Sequence, residues 1–404
     1  MIVGIIGGGA SGMAAAITAS ENLDNQIIVF ERQSRVGRKL LATGNGRCNL
    51  SNLHALEKGY HGTDEGFSRF ALKQHSPDET IQWFRTLGLF TVMEPSGRVY
   101  PYSDQANSVV DVLRFALDKP NVQLRTGFEV TKVKQKDGGF LVQNGEESVF
   151  CHRLVVACGG LAGTKLGGSM SGYKLLRALG HSVTKLRPAL VQLKSSWRAL
   201  PGLKGIRATC DAKIVCNGVE VSHSSGELQF TEYGLSGPVI FEISRDVCQK
   251  SGDWYCVLDF LPGHTKEELY CALTSRATTN LCADELLTGI LHNRLGRVLV
   301  QTAGISFSKS INQLTQKELF AICDAVKCLE VPITEPLGMD CAQVTAGGIC
   351  TDEFDASTLE SRLIPNLFAC GEILDVDGDC GGYNLQWAWS SGRVAGLNAG
   401  RGNA

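Results

Sequence analysis

None of the 15 cysteines is spaced C-x-x-C, and they are odd in number and scattered along the chain. A disulfide framework is therefore not expected; reduced thiols in a cytoplasmic protein are. The chain enters IVGIIGGG from residue 2 with no basic leader or cleavage site, and no apolar run approaches the roughly 20 residues that span a bilayer. Neither export nor a membrane segment is expected. The eight histidines lack metal-ligand spacing and no Ser/His/Asp arrangement is evident, so no metal is expected. An excess of either charge is lacking too: a net charge of -2 gives no basic footprint, and nucleic-acid binding would have to depend on a local patch. What is present is an ordinary globular composition, 43% hydrophobic and 20% charged over 404 residues, enough for two or three domains.

The first 33 residues carry Gly7-x-Gly9-x-x-Gly12 after an apolar strand, then an alanine-rich helix and a second apolar strand ending at Glu31. This is a complete dinucleotide-binding unit. Gly7 allows the tight turn, Gly9 lets backbone approach a pyrophosphate, Gly12 lets helix and strand pack closely, and Glu31 can accept from the adenosine ribose hydroxyls. After Glu31 comes a flexible basic loop with Gly37, Arg38, Lys39, Gly44, Gly46, Arg47, Cys48 and Asn49, where a nicotinamide dehydrogenase would continue into another helix. Such a loop suits a larger cofactor whose pyrophosphate and ribityl chain need covering, which favours FAD.

The stretches GRKLLATGNGRCNLSN near the start and GEILDVDGDCGGYNLQWAWSSG near the end resemble the HI0933-like family of bacterial three-domain flavoproteins, within the glutathione-reductase-type FAD superfamily. The similarity spans almost the whole chain. It implies that Cys158 to Gly160, after the strand RLVVACGG, contact the cofactor, and that Glu372 takes the place of the Asp that commonly holds the ribityl hydroxyls. With Ala10, Ser11, Arg32, Val130, Gly159 and Gly371, these positions make up the expected cofactor-binding set. The family is functionally heterogeneous, including oxidation of small amines such as aminoacetone, reduction of a steroid enone, and reduction of uridine to dihydrouridine in ribosomal RNA.

The expected fold is α/β: a discontinuous Rossmann-type FAD domain (residues 1–189 and 335–404), an inserted β-barrel-like domain (190–263) and a helical insert (264–334). Two helices are expected within 75–118, the second capped near Asn107 or Ser108. An antiparallel meander follows over 121–151, with turns at Asp137-Gly138 and Asn144-Gly145, and then a glycine-led helix near Gly172. No second G-x-G-x-x-G follows a strand, so no separate NAD(P)-binding domain is expected. An Asn217-Gly218 hairpin marks the barrel, and Leu286, Leu287, Ile290, Leu291, Leu295 and Val298 suggest one helical face.

The last helix is expected to begin at Gly382, with Tyr383, Asn384 and Leu385 in its first turn. Its amides and positive dipole end would face the N1 and C2 carbonyl edge of the flavin. Trp387 and Trp389 read as packing. Candidate proton donors are Cys48, Cys380 and Tyr383, and Arg98 with Tyr100 and Tyr102 could line a substrate pocket, Arg98 pairing an anion. The leading expectation is a reductase of an activated C=C bond, of enone or uracil type, with NAD(P)H as electron source. The alternatives are an oxygen-dependent amine oxidase and a flavin-bearing RNA- or ribosome-binding protein without turnover. For an rRNA substrate, Arg198, Lys204, Arg207 and Lys213 are the one local basic cluster offered.

Overall fold

The computed structural model describes residues 1–276 and 280–401. It divides into two compact units, residues 1–188 with 343–404, and residues 189–342. In the first, a five-stranded parallel sheet runs in the order Leu367–Ala369, Arg153–Val156, Ile2–Ile6, Gln26–Glu31, Val122–Thr126. Ile2–Ile6 and Gln26–Glu31 are nearly continuous apolar runs, buried on both faces, as parallel strands flanked by helices must be. The first helix, Ala10–Ala19, packs against the last, Tyr383–Gly400. Small residues set that approach: a Cβ on Gly392 would stand 2.4 Å from Ser11 O, and one on Gly396 2.3 Å from Ala15 O.

Several expected elements are redrawn. Val122–Thr126 does not belong to the meander; it pairs in parallel with Gln26–Glu31, and the antiparallel sheet is Lys132–Lys136, Gly139–Gln143 and Ser148–Cys151. Of the two expected helices, Pro77–Thr86 starts in a Ser76/Glu79 capping box. The other, Ala106–Ala116, begins after Gln105 rather than at Asn107 or Ser108. The glycine-led helix is Ser171–Ala178.

The second unit is a closed antiparallel barrel of six strands, Leu193–Ser195, Gly234–Ser236, Val219–Phe230, Arg207–Cys216, Trp254–Asp259 and Leu329–Pro336. Its long hairpin turns at Asn217 (φ +50°) and Gly218 (φ +82°), the left-handed pair that a tight two-residue turn demands. Helices Lys266–Arg276, Asn293–Thr302 and Gln316–Lys327 enter between the last two strands. Barrel residues Leu228, Phe230 and Leu258 and helical residues Leu273, Leu299 and Ile322 share one core. The barrel and the helical insert are thus one unit, and the closing strand lies across the expected boundary at 334/335. Leu286 and Leu287 are buried, but in the turn after the short helix Ala283–Glu285; Leu295 and Val298 alone of the expected face lie on Asn293–Thr302.

Candidate functional site

The first glycine loop splits into structural and open positions. Gly7 has φ +109°, and a Cβ there would meet Ala157 O at 2.4 Å; on Gly12 a Cβ would stand 1.9 Å from Gly7 O. On Gly9, by contrast, a Cβ would find nothing within 4 Å. Gly9 is also the N-cap of Ala10–Ala19, without a side-chain cap and with no acid in the first turn, so the helix start offers unpaired amides to open space. Ser11 is 5% exposed, with its hydroxyl turned to Cys370 O at 3.4 Å. Glu31 spends both oxygens on backbone, Oε2 accepting from Gly8 N–H and Oε1 from Gln33 N–H, each at 2.7 Å. The carboxylate thereby shapes the loop as well as facing it.

Beyond Glu31, Arg32 donates to Gly167 O at 2.6 Å and lines a cavity of about 910 Å³ together with Val130, Lys132, Ser169 and Lys174. Arg38 is exposed and donates to Gln33 Oε1 at 2.8 Å. Lys39 instead reaches Glu372, Nζ to Oε2 at 2.8 Å, while Glu372 Oε1 accepts from Thr345 N–H at 2.9 Å. That carboxylate, expected to hold ribityl hydroxyls, is already committed to the chain. Gly160 lies against it, since a Cβ there would be 2.5 Å from Oε1. Tyr173, which sequence reasoning missed, is fully buried beside this group; burial and then the Glu372 charge push its phenol well above the usual range. Cys158 hydrogen-bonds weakly to Ile6 O and burial pushes its thiol up to about 12. Gly159, at φ +70°, again borders open space.

Gly371 (φ +76°) ends the edge strand, its N–H donating to Ser391 Oγ at 3.0 Å and its carbonyl accepting from Trp387 Nε1 at 3.1 Å. Trp387 and Trp389 are 1% and 0% exposed, as packing residues should be. Gly382, at φ +104°, is the N-cap of Tyr383–Gly400 and has no side-chain cap. A Cβ there would sit 2.3 Å from Ser51 O and 2.9 Å from Asn49 Oδ1, itself a buried acceptor with no hydrogen-bond partner among the described residues. Asn384 is consumed in closing the preceding turn: Nδ2 donates to Gly378 O (2.7 Å) and Asp379 O (3.3 Å), and Oδ1 accepts from Gly378 N–H (2.8 Å). It positions the helix start, and Leu385 packs on the core.

Arg47, Gly46 and Asn49 come from the loop around the broken turn Leu40–Gly46. Arg47 is engaged by Asp104 and by Glu94 (3.3 Å) and lies over the Tyr100 ring at 4.0 Å. Arg98 follows on the adjoining strand, its Nε 2.9 Å from where a Cβ on Gly381 would be, and no carboxylate pairs with it among the described residues. Tyr100 is buried and Tyr102 is 76% exposed, so of the expected pair only Tyr100 stays with Arg98. Cys48, an expected proton donor, is fully buried, and desolvation pushes its thiol up to about 12. Tyr383 is 8% exposed and Cys380 half-buried. His61, an unexpected neighbour, pairs through Nε2 with Asp379 Oδ1 at 2.7 Å. No motif singles it out.

Two uncapped helix starts, the open space at Gly9 and Gly159, and the orphaned Asn49 oxygen fit an extended dinucleotide carrying a polar ring system. They define a Rossmann-type flavoprotein. The chain belongs to a family of flavoprotein oxidoreductases, matching the HI0933-like protein Rossmann domain over residues 1–398. It is 38% identical to the 3-dehydro-bile acid delta(4,6)-reductase of Clostridium scindens over 98% of each chain. It is also 31% identical to the ribosomal RNA dihydrouridine synthase of Escherichia coli, over 96% of this chain and 95% of that one. The crystal structure of 3-ketosteroid delta1-dehydrogenase from Sterolibacterium denitrificans with 1,4-androstadiene-3,17-dione aligns at a TM-score of 0.50 and 12% identity, covering 98% and 99% of the two chains; it shares the fold. Among the described residues no helix is long and apolar enough to cross a membrane.

Proposed function

We propose that the protein is an FAD-dependent reductase of an activated C=C bond in a small molecule of enone type, with NAD(P)H as electron donor. The observation that carries this is the mouth of the last helix, where the uncapped Gly382 amide end, the orphaned Asn49 acceptor and the unpaired Arg98 converge. The 38% identical bile-acid reductase supports the substrate class. FAD would be held by the Gly9 helix start at its pyrophosphate, by Glu31 at its ribose and by the Gly382 end at its ring. When bound, it supplies hydride transfer. The chain's own residues then orient and protonate: Arg98 docks an anionic or carbonyl group of the substrate, Tyr100 forms an apolar wall, and the Gly382 amides favour negative charge on the ring system. Lys39 and Glu372 tie the basic loop to the edge-strand end, where that loop would cover the cofactor.

A ribosomal RNA substrate is a second reading, favoured by the 31% identical synthase. The basic cluster offered for it is largely neutralised: Lys204 pairs with Glu232 (2.7 Å), Arg207 with Glu227 (3.3 Å) and Lys213 with Glu220 (2.9 Å), leaving Arg198 exposed. Anaerobic stopped-flow absorbance decides among the readings. Bleaching of the flavin band by NADH or NADPH, reversed by an enone, is expected. Reversal only by uridine-containing RNA moves the second reading forward, and bleaching only by small amines replaces both with an oxidase.

A further inference from the structure

We propose that His61, oriented by Asp379, donates the proton at the mouth of the last helix; this deepens the reading of that mouth as the site of C=C reduction. His61 lies on the two-residue strand Tyr60–His61, antiparallel to Asp377–Gly378, with His61 opposite Asp377 and Tyr60 opposite Gly378. Its Nε2 meets Asp379 Oδ1 at 2.7 Å, and the two side chains are 35% and 37% exposed, so the pair is held and still reachable. Asp379 is fixed on both sides, its N–H donating to Gly59 O at 2.8 Å and its carbonyl accepting from Asn384 Nδ2. The hydroxyl of Tyr60 donates to Tyr383 O at 3.0 Å. The brace therefore runs from the His61 strand straight into the first turn of the helix capped by Gly382.

The titratable groups of the elements around His61 are Asp379 on its Nε2, Asp377 opposite it in the strand pair, Asp375 bonded to Thr63 Oγ1 at 2.6 Å, and the phenols of Tyr60 and Tyr383, whose rings meet edge to face. Burial, then Tyr383 and Asp379, push the Tyr60 phenol far up, so it does not release a proton near neutrality. Imidazoles in general exchange protons in that range, and the carboxylate on Nε2 orients this ring. Nε2–H stays with Asp379 and the second nitrogen, Nδ1, gives up the proton. The chemistry balances as one hydride and one proton. A bound flavin, reduced beforehand by a nicotinamide nucleotide, would supply the hydride to the β carbon of the alkene as the π bond breaks. The α carbon gains the proton from Nδ1, and the neutral imidazole recovers one from water.

The test separates the two half-reactions of the purified holoenzyme under anaerobic conditions, with flavin content matched among variants. His61→Gln is expected to leave reduction by the nicotinamide unchanged and to slow reoxidation by an enone on the order of 100-fold, with the acid-side rise of the wild-type rate lost. Asp379→Asn is expected to slow the same half-reaction with reduction by the nicotinamide unchanged, and Asp379→Glu to restore it, which loss of a merely structural pair would not do. Reoxidation by His61→Gln at the wild-type rate and pH profile overturns the proposal. An NMR titration of the His61 ring before and after reduction by dithionite needs no variant and no substrate. A titration moved to higher pH on reduction supports the proposal, because negative charge has developed within reach of the ring; an unmoved one overturns it. A moved titration in an enzyme that reduces no alkene overturns the C=C reading and leaves His61 as donor to another acceptor.

Discussion

At the scale of single residues, burial decides which titratable groups can act. His75 shows this away from the site: desolvation, aided by the neighbouring Arg393, drives its imidazole down from 6.5 to about 4. Its Nε2 is buried without a partner, and its carbonyl accepts from Gln386 Nε2 at 3.0 Å and Ser390 Oγ at 2.6 Å. The unfolded chain therefore takes up a proton below pH 6.5 that the folded one refuses until about 4. This contribution to stability is whole above pH 6.5 and is lost as the pH falls across that window. Denaturant melts of His75→Gln between pH 7 and 4 should show a shallower loss than wild type; parallel curves would remove His75 as the cause. The same logic separates the cysteines. In sequence Cys48 and Cys380 are both candidates, yet one is sealed in the core and the other is half-buried at the helix mouth. His61 could not be found by reading along the chain, because its partner is 318 positions away and neither residue sits in a recognisable spacing.

At the scale of elements, the glycine loop makes opposite demands at neighbouring positions. Gly9→Glu should fold but purify without its yellow cofactor, because the side chain enters the open space where the pyrophosphate is proposed to lie. Gly12→Ala should cost stability, about 1–3 kcal/mol or more, since its Cβ would stand 1.9 Å from Gly7 O. Flavin absorbance per protein and thermal midpoints of the two variants check this, and equal flavin loading in Gly9→Glu would displace the cofactor assignment. These elements were legible because strand, glycines, helix and acid occur in one 31-residue window. The strand Val122–Thr126 was not: its alternating residues read as a hairpin arm, and only the exposed edge of Gln26–Glu31 makes it a parallel partner. Likewise Leu286 and Leu287 are apolar at helical spacing but pack from a turn, since the core accepts a leucine from any backbone that delivers it.

At the scale of the molecule, residues 189–342 hold one core that joins barrel and helices, with the closing strand Leu329–Pro336 supplied after the helical excursion. Expressed alone, that segment should melt cooperatively by circular dichroism; ending it at residue 263 removes the closing strand and should abolish the transition. Cooperative melting of the shorter piece would restore the barrel and the helices to separate domains. The sequence by itself determined the dinucleotide loop, the return of the chain to the same sheet and the glycine start of the last helix, because backbone approach and positive φ leave glycine few substitutes. Only the tertiary structure decided which charges are already spent, Glu372 on Lys39 and Lys204, Arg207 and Lys213 on glutamates, and which remain open, as at Arg98. It alone brought His61 to Asp379. Pairing and burial depend on distances between remote segments, and no local spacing encodes them.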